Sequence, residues 1–202
     1  MNTIINIGRE FGSGGGWVAK EIGRILGIQV YDNELITKAA EKSGFSREVF
    51  ERNDEKRSLF SLSSFFSTGF VTPGGENYLN SDLLFKIQSE VIRSIAETSD
   101  AIFIGRCSDY ILRDLNCLDI FVCAPEEFRV ERLTRIEGIS ADEALSLIHR
   151  KDRTRETYYN YYTFGNWGKA SNYDLCIDSS ILGIEGTAEF IIEFARRKGI
   201  LR

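Results

Sequence analysis

Arg9-Glu-Phe-Gly-Ser-Gly-Gly-Gly-Trp17 decides how this chain is read. It stands between an apolar run, Thr3–Ile7, closed by Gly8, and a segment Trp17–Gly27 in which Val18, Ile22, Ile25 and Leu26 recur at helical spacing. A short isoleucine-rich run of this kind reads as a buried strand. A glycine loop between a strand and a helix suits phosphate. Its backbone N–H groups turn inward, and the helix N-terminus adds partial positive charge. Gly12, Gly14, Gly15 and Gly16, with Ser13 among them, stand where side chains would obstruct that approach.

Two phosphate-binding patterns compete. The dinucleotide pattern GxGxxG needs its glycines directly after the strand. Glu10 occupies one of those places. A start at Gly12 puts Trp17 at the last glycine and lengthens the loop by Arg9–Phe11. Asp32 lies where a ribose-binding acid would fall, but the loop length favours a mononucleotide loop. The pattern GxxxxGK[ST] is not met either. With Gly14 as its second glycine, Gly15 falls at the lysine and Gly16 at the Mg²⁺-binding hydroxyl. Lys20 projects from the helix more than a turn further on. Arg9 is the nearest cation, and two readings of it stand. It makes a bidentate contact with phosphates, or it pairs with Glu10 or with an acid on a neighbouring strand.

Outward from the loop the chain alternates. Ile28–Asp32 reads as a second strand and Asn33–Gly44 as a helix capped by Asp32 or Asn33. Ser81 is the expected cap of a long amphipathic helix ending near Ser99. Ala101–Gly105, Leu118–Ala124 and Tyr173–Asp178 are three further apolar runs. Helix-like segments separate them, one with Pro125 in its first turn and one with a capping box, Ser140 to Glu143. A final helix begins near Leu182. Strand–helix alternation predicts a parallel sheet covered by helices. Ser58–Asn77, rich in Ser, Gly and Phe, has no clean period; it reads as a flap over a ligand or a dimer contact.

A chain of 202 residues suits one domain, and a net charge of −5 gives no footprint for nucleic acid. No CxxC spacing and a single histidine, His149, exclude an evident zinc site. Cys117, Cys123 and Cys176 read as buried reduced thiols, and Cys107 as structural. No apolar run approaches the ~20 residues that span a bilayer, and the N-terminus has no signal-peptide pattern. A cytoplasmic protein without membrane contact is expected.

Taken together, "REFGSGG", "VYDNELI", "IFIGRCSDYIL", "DRTRETYYNYYT" and "SNYDLCIDSSILGIEG" resemble the cytidylate kinase-like family of P-loop proteins, related to nucleoside monophosphate kinases. The resemblance covers nearly the whole chain and is weakest over residues 45–80. It implies a three-layer α/β/α P-loop fold with a mainly parallel five-stranded sheet. It implies one domain over residues 1–202, with a helical substrate lobe over about 33–98 and an arginine-bearing lid over about 140–170.

By the same resemblance, Gly12–Gly15 with Ser13 correspond to the phosphate loop, and Gly16 next to them stays a phosphate-binding candidate on its position alone. The family often carries an Arg-Glu pair where this chain has Gly16 and Trp17; packing of Trp17 on the sheet is expected instead. Arg106 aligns with an acceptor-binding arginine, and Cys107 falls where cytidylate kinases carry an aspartate. Asp32 and Asp109 complete the acceptor-side candidates, although Asp32 is equally explained as a helix cap.

Arg153 and Arg155 match a "DRxR" pattern within a basic cluster that also holds Arg150 and Lys151. With Arg9 they are the candidates for neutralising phosphoryl charge. The competing reading is a solvated helix face paired with Asp152 and Glu156. Tyr158, Tyr159, Tyr161 and Tyr162 are expected mostly to pack against the sheet, and His149 is incidental. The resemblance implies ATP and Mg²⁺ as cofactors and phosphoryl transfer to a small nucleotide of cytidylate type. A nucleotide-binding module without kinase activity, and a kinase for another metabolite, are the alternatives.

Overall fold

The computed structural model describes residues 2–42 and 78–201. Ser58–Asn77, read above as a flap, and Gly44, read as a helix end, lie outside the described residues. Five strands are present among the described residues: β1 (Ile4–Arg9), β2 (Val30–Tyr31), β3 (Ala101–Ile104), β4 (Leu118–Cys123) and β5 (Leu175–Asp178). They form one sheet in the order β2-β3-β1-β4-β5, and every pairing is parallel. The helices are α1 (Gly15–Leu26), α2 (Asn33–Lys42), α3 (Tyr78–Thr98), α4 (Ser108–Ile111), α5 (Glu126–Glu137), α6 (Ala141–Thr163) and α7 (Ser179–Lys198).

The layers follow from strand alternation. Ile5 and Ile7 of β1 face α1 and α7 and pack with Val18, Ile22, Ala188 and Ile191. Ile4 faces the opposite layer, where Phe103 meets Ile36, Ile87, Val91 and Ile111 of α2, α3 and α4. Both faces are covered, which is why the strands read as continuous apolar runs. A third, smaller core joins α5 to α6: Leu133, Ala144 and Ile148 enclose Phe11 of the glycine loop.

Several expectations need correction. The long helix starts at Tyr78, so Ser81 is inside it and is no cap. The segment after β3 is helical only over Ser108–Ile111, and Pro125 is the N-cap of α5 and not its first helical residue. Ile25 is 41% exposed, because α1 turns only the Val18–Ile22 stripe to the core. Cys117 is buried, Cys123 half-buried and Cys176 exposed, since β5 is an edge strand. The capping box of α6 is present as read, with Ser140 and Glu143 bonding reciprocally. The last helix has its break at Gly183, where φ is 67°.

Candidate functional site

β1 is followed by α1 on one face of the sheet, β3 by α4 on the other. In a parallel sheet this leaves a crevice outside the C-terminal ends of the two strands. The glycine loop fills one lip of it and Gly105–Cys107 the other.

The loop is gripped from outside by side chains remote in sequence. Arg129 of α5 donates to the Phe11 carbonyl (3.3 Å) and Arg132 to the Gly12 carbonyl (3.1 Å). The Ser179 hydroxyl donates to the Ser13 carbonyl. In a planar trans peptide the C=O and the following N–H point in opposite directions. Anchoring the Phe11 and Ser13 carbonyls therefore aims the N–H groups of Gly12 and Gly14 the other way. The Phe11 amide is taken by Asp152 (2.6 Å) and the Ser13 amide by the Glu10 carbonyl (3.4 Å). The amides of Gly12, Gly14 and Gly16 have no acceptor among the described residues. Gly12 and Gly14 have φ of 81° and 84°, the left-handed region that only glycine enters cheaply.

Gly15 explains the missing lysine. A Cβ there would lie 2.6 Å from the Arg9 Cβ and 3.2 Å from the Val122 Cβ. No side chain fits at that position while Arg9 fills the space. Arg9 rises from the end of β1 so that its Nη1 lies where a Cβ on Gly105 would be, 2.1 Å away. Its guanidinium makes no hydrogen bond or ion pair with another described residue. Pairing with Glu10 is excluded: Glu10 accepts from the Ala124 amide (3.1 Å) and faces Arg129 (3.7 Å). Burial, then the neighbouring charges of Arg155 and Arg106, pushes the Arg9 pKa down; Asp32 and Asp152 offset this only in part. Among the described residues, desolvation and the cations beside Arg9 outweigh the nearby acids.

Arg155 donates to the Arg9 carbonyl (3.0 Å), and its guanidinium lies 5.3 Å from the Phe11 ring centroid. Arg153 takes a different course. Two residues along a helix turn the side chain by about 200°, and Arg153 is exposed in an open groove with His149, Glu156, Asn160 and Trp167. The structure brings Arg155 but not Arg153 to the loop. His149 pairs with Glu126 at 2.7 Å. Asp152 does pair within the basic cluster, but not as a solvated ion pair: it bonds Arg129 at 2.6 Å and lies 3.7 Å from Arg155, with all three side chains largely buried.

On the other lip, Gly105, Arg106 and Cys107 have φ of 68°, 59° and 56°. Three successive left-handed residues, two of them not glycine, cost about 1 kcal/mol or more each for the non-glycines. Such strain collects at functional sites. The turn places Arg106 over the Tyr158 ring, 5.2 Å from its centroid. Asp109 is half-buried and accepts from the Tyr159 hydroxyl (2.7 Å); desolvation raises its pKa. Asp32 accepts from the Leu35 amide (3.0 Å), so it caps α2. Tyr158 and Tyr162 pack on Phe85 of α3, the latter stacked at 3.9 Å, in place of the expected sheet packing. Trp17 also departs from expectation, being 44% exposed.

A model of the cytidylate kinase-like family matches residues 4–181. The chain belongs to that family. Its matched relatives include proteins named cytidylate kinase from Methanopyrus kandleri, 26% identical over 89% of this chain and 86% of that protein, and from Pyrobaculum calidifontis, 22% identical over 95% and 92%. A third, from Sulfolobus acidocaldarius, is 29% identical over 57% of this chain and 63% of its own length. An uncharacterized protein from Eubacterium ventriosum superposes with a TM-score of 0.70 at 25% identity, covering 96% of this chain and 99% of that one. A shikimate kinase from Bacteroides thetaiotaomicron superposes over 96% and 98% with a TM-score of 0.53 at 14% identity, a likeness of fold. The fold is that of the P-loop kinases.

Sequence reading missed Arg129, Arg132, Asp152 and Ser179 as the loop's supports, and Gly105 as the residue against which Arg9 lies. Arg129 and Arg132 carried one signal: they fall three apart on a helix, at positions buried with Leu133.

Proposed function

We propose that the protein transfers the γ-phosphoryl group of ATP to a small nucleotide, most plausibly a cytidylate-type monophosphate. One observation carries this reading. The desolvated Arg9 guanidinium has no acidic partner among the described residues, and it stands at the mouth of a loop whose Gly12, Gly14 and Gly16 amides meet no acceptor among them. A desolvated cation beside open N–H donors is costly unless an anion completes it. The polyphosphate of a nucleoside triphosphate supplies both the charge and the acceptor oxygens.

In this reading the loop amides hold the donor phosphates. Arg9 takes the place of the lysine, and Arg155 adds charge that stabilises the spread of negative charge on the transferring group. Arg106, across the crevice, orients the acceptor phosphate, with Asp32 and Asp109 at that edge. No three His, Cys, Asp or Glu side chains gather as a metal site among the described residues, and Gly16 offers no hydroxyl. The residues do not fit a resident metal; Mg²⁺ enters with its nucleotide as Mg·ATP.

The test is direct. Purified protein is incubated with Mg·ATP and a panel of nucleoside monophosphates while ADP is followed. Turnover with CMP or dCMP is the expected result. Binding of ATP without turnover on any acceptor would replace the kinase with a nucleotide-binding module.

A further inference from the structure

Trp17 directly follows Gly16 in the first turn of α1, and it remains 44% exposed. Its surroundings are specific. The Arg132 guanidinium lies 5.7 Å from the Trp17 ring and 4.6 Å from the Phe128 ring. The same guanidinium bonds the Gly12 carbonyl and has no carboxylate partner among the described residues. A Cβ on Gly14 would meet Arg132 at 2.3 Å and Ile184 at 2.6 Å, so the loop, Arg132 and the start of α7 are in contact. Just before Ile184, Ile181 is 77% and Leu182 46% exposed, ahead of the break at Gly183. Gly16, between the loop and Trp17, has open space where a side chain would be.

The outer end of the loop therefore carries a half-exposed indole beside a cation, next to a glycine with open space where a side chain would be. A single exposed indole is ordinary; what sets this one apart is that the guanidinium beside it also bonds the glycine loop. An occupant must be planar and must reach this rim from a phosphate chain held at Gly12–Gly16. We infer that Trp17 is the stacking platform for the base of the donor nucleoside triphosphate, with Arg132 fixing the indole. This rests on the reading of the glycine loop as the donor-phosphate site. Stacking on an aromatic face accepts any base, so the platform contributes donor affinity more than base choice.

The chain has two tryptophans, Trp17 and Trp167. In a Trp167→Phe background Trp17 is the single indole reporter. ATP is expected to quench its fluorescence saturably, whereas inorganic tripolyphosphate, shown to bind by calorimetry, leaves it nearly unchanged. Trp17→Ala is expected to weaken ATP binding about 10-fold or more. Trp17→Phe restores most of the loss, and tripolyphosphate affinity stays constant in both. Equal weakening of ATP and tripolyphosphate in Trp17→Ala would make Trp17 a support of the loop and overturn the proposal; so would no effect on either. If ATP binds and quenches but no acceptor is phosphorylated, the kinase reading falls and the platform stands. If neither ATP nor tripolyphosphate binds the native chain, both fall.

Discussion

The Asp152 carboxylate ties the loop to a buried cation: one oxygen accepts from the Phe11 amide at 2.6 Å and lies 3.7 Å from Arg155, and the other bonds the Arg129 guanidinium at 2.6 Å. A residue 141 positions away thus fastens the glycine loop to α6, while Arg129 fastens it to α5. The side chains of Asp152 and Arg129 are only 16% and 9% exposed, so the pair is a buried one. Removing one member leaves the other charged and desolvated.

Asp152→Ala is accordingly expected to cost about 3 kcal/mol of stability and to weaken tripolyphosphate binding. Asp152→Asn, which keeps an acceptor for the Phe11 amide, is expected to lose less. Thermal unfolding with calorimetric titration of tripolyphosphate checks both. An alanine variant as stable as the native chain would show the pair to be incidental.

Arg9 should behave in the opposite way. Among the described residues it has no acidic partner to lose, and its cation is desolvated. Arg9→Met keeps much of the stem's volume and removes the charge. Melting temperature is expected to stay level or rise, while turnover falls about 100-fold or more, the scale of losing one preorganised charge contact. Steady-state kinetics beside a melting curve reads the two effects separately. A stability loss that matches the activity loss would mean that Arg9 is structural.

Gly105→Ala tests the placement of that cation. The new Cβ would displace Arg9 Nη1, and φ of 68° strains any residue with a Cβ. The strain costs about 1–2 kcal/mol. The larger effect is expected in kcat/KM, lowered at least about tenfold as Arg9 is pushed aside. Native kinetics in this variant would show that the precise position of Arg9 is unimportant.

Asp119 gives a pH prediction. Burial pushes its carboxyl up to about 6; the Asn6 amide, donating at 2.8 Å, opposes this, and Asp109 and Asp174 add to it. A raised acid pKa means that the native state binds the proton more tightly than the unfolded chain. The resulting stability is full below about 4, the unfolded pKa, and is lost as pH rises through about 6. Asp119→Asn keeps an acceptor for Asn6 and removes the charge. It is expected to raise stability at pH 7.5 by about 1 kcal/mol and to lose that advantage toward pH 4.5. Melting curves across this range decide it; a constant difference would mean that Asp119 is not the titrating group.

Local pattern was enough for much of this protein. The apolar runs at Ile4–Arg9, Ala101–Ile104 and Leu118–Cys123, the glycines between β1 and α1, and the Ser140–Glu143 box each report an interaction within a few residues, and each was legible. Parallel strands covered on both faces must be apolar throughout, and a left-handed loop must be glycine-rich, so these traits are written in composition and spacing. Which partner reaches a given atom is not local. The sequence placed Arg9 beside the loop but left its pairing with Glu10 open; the fold closed that option by giving Glu10 to Ala124 and Arg129. It set Arg153 and Arg155 side by side, and helix rotation carried only Arg155 to the loop. The carbonyl anchors on Phe11, Gly12 and Ser13 come from residues 118, 120 and 166 positions away. Sequence determined that a glycine loop stands between β1 and α1. Tertiary structure alone decided which of its amides meet no acceptor among the described residues and which cation lies beside them, because peptide orientation and burial are set by segments that meet only after folding.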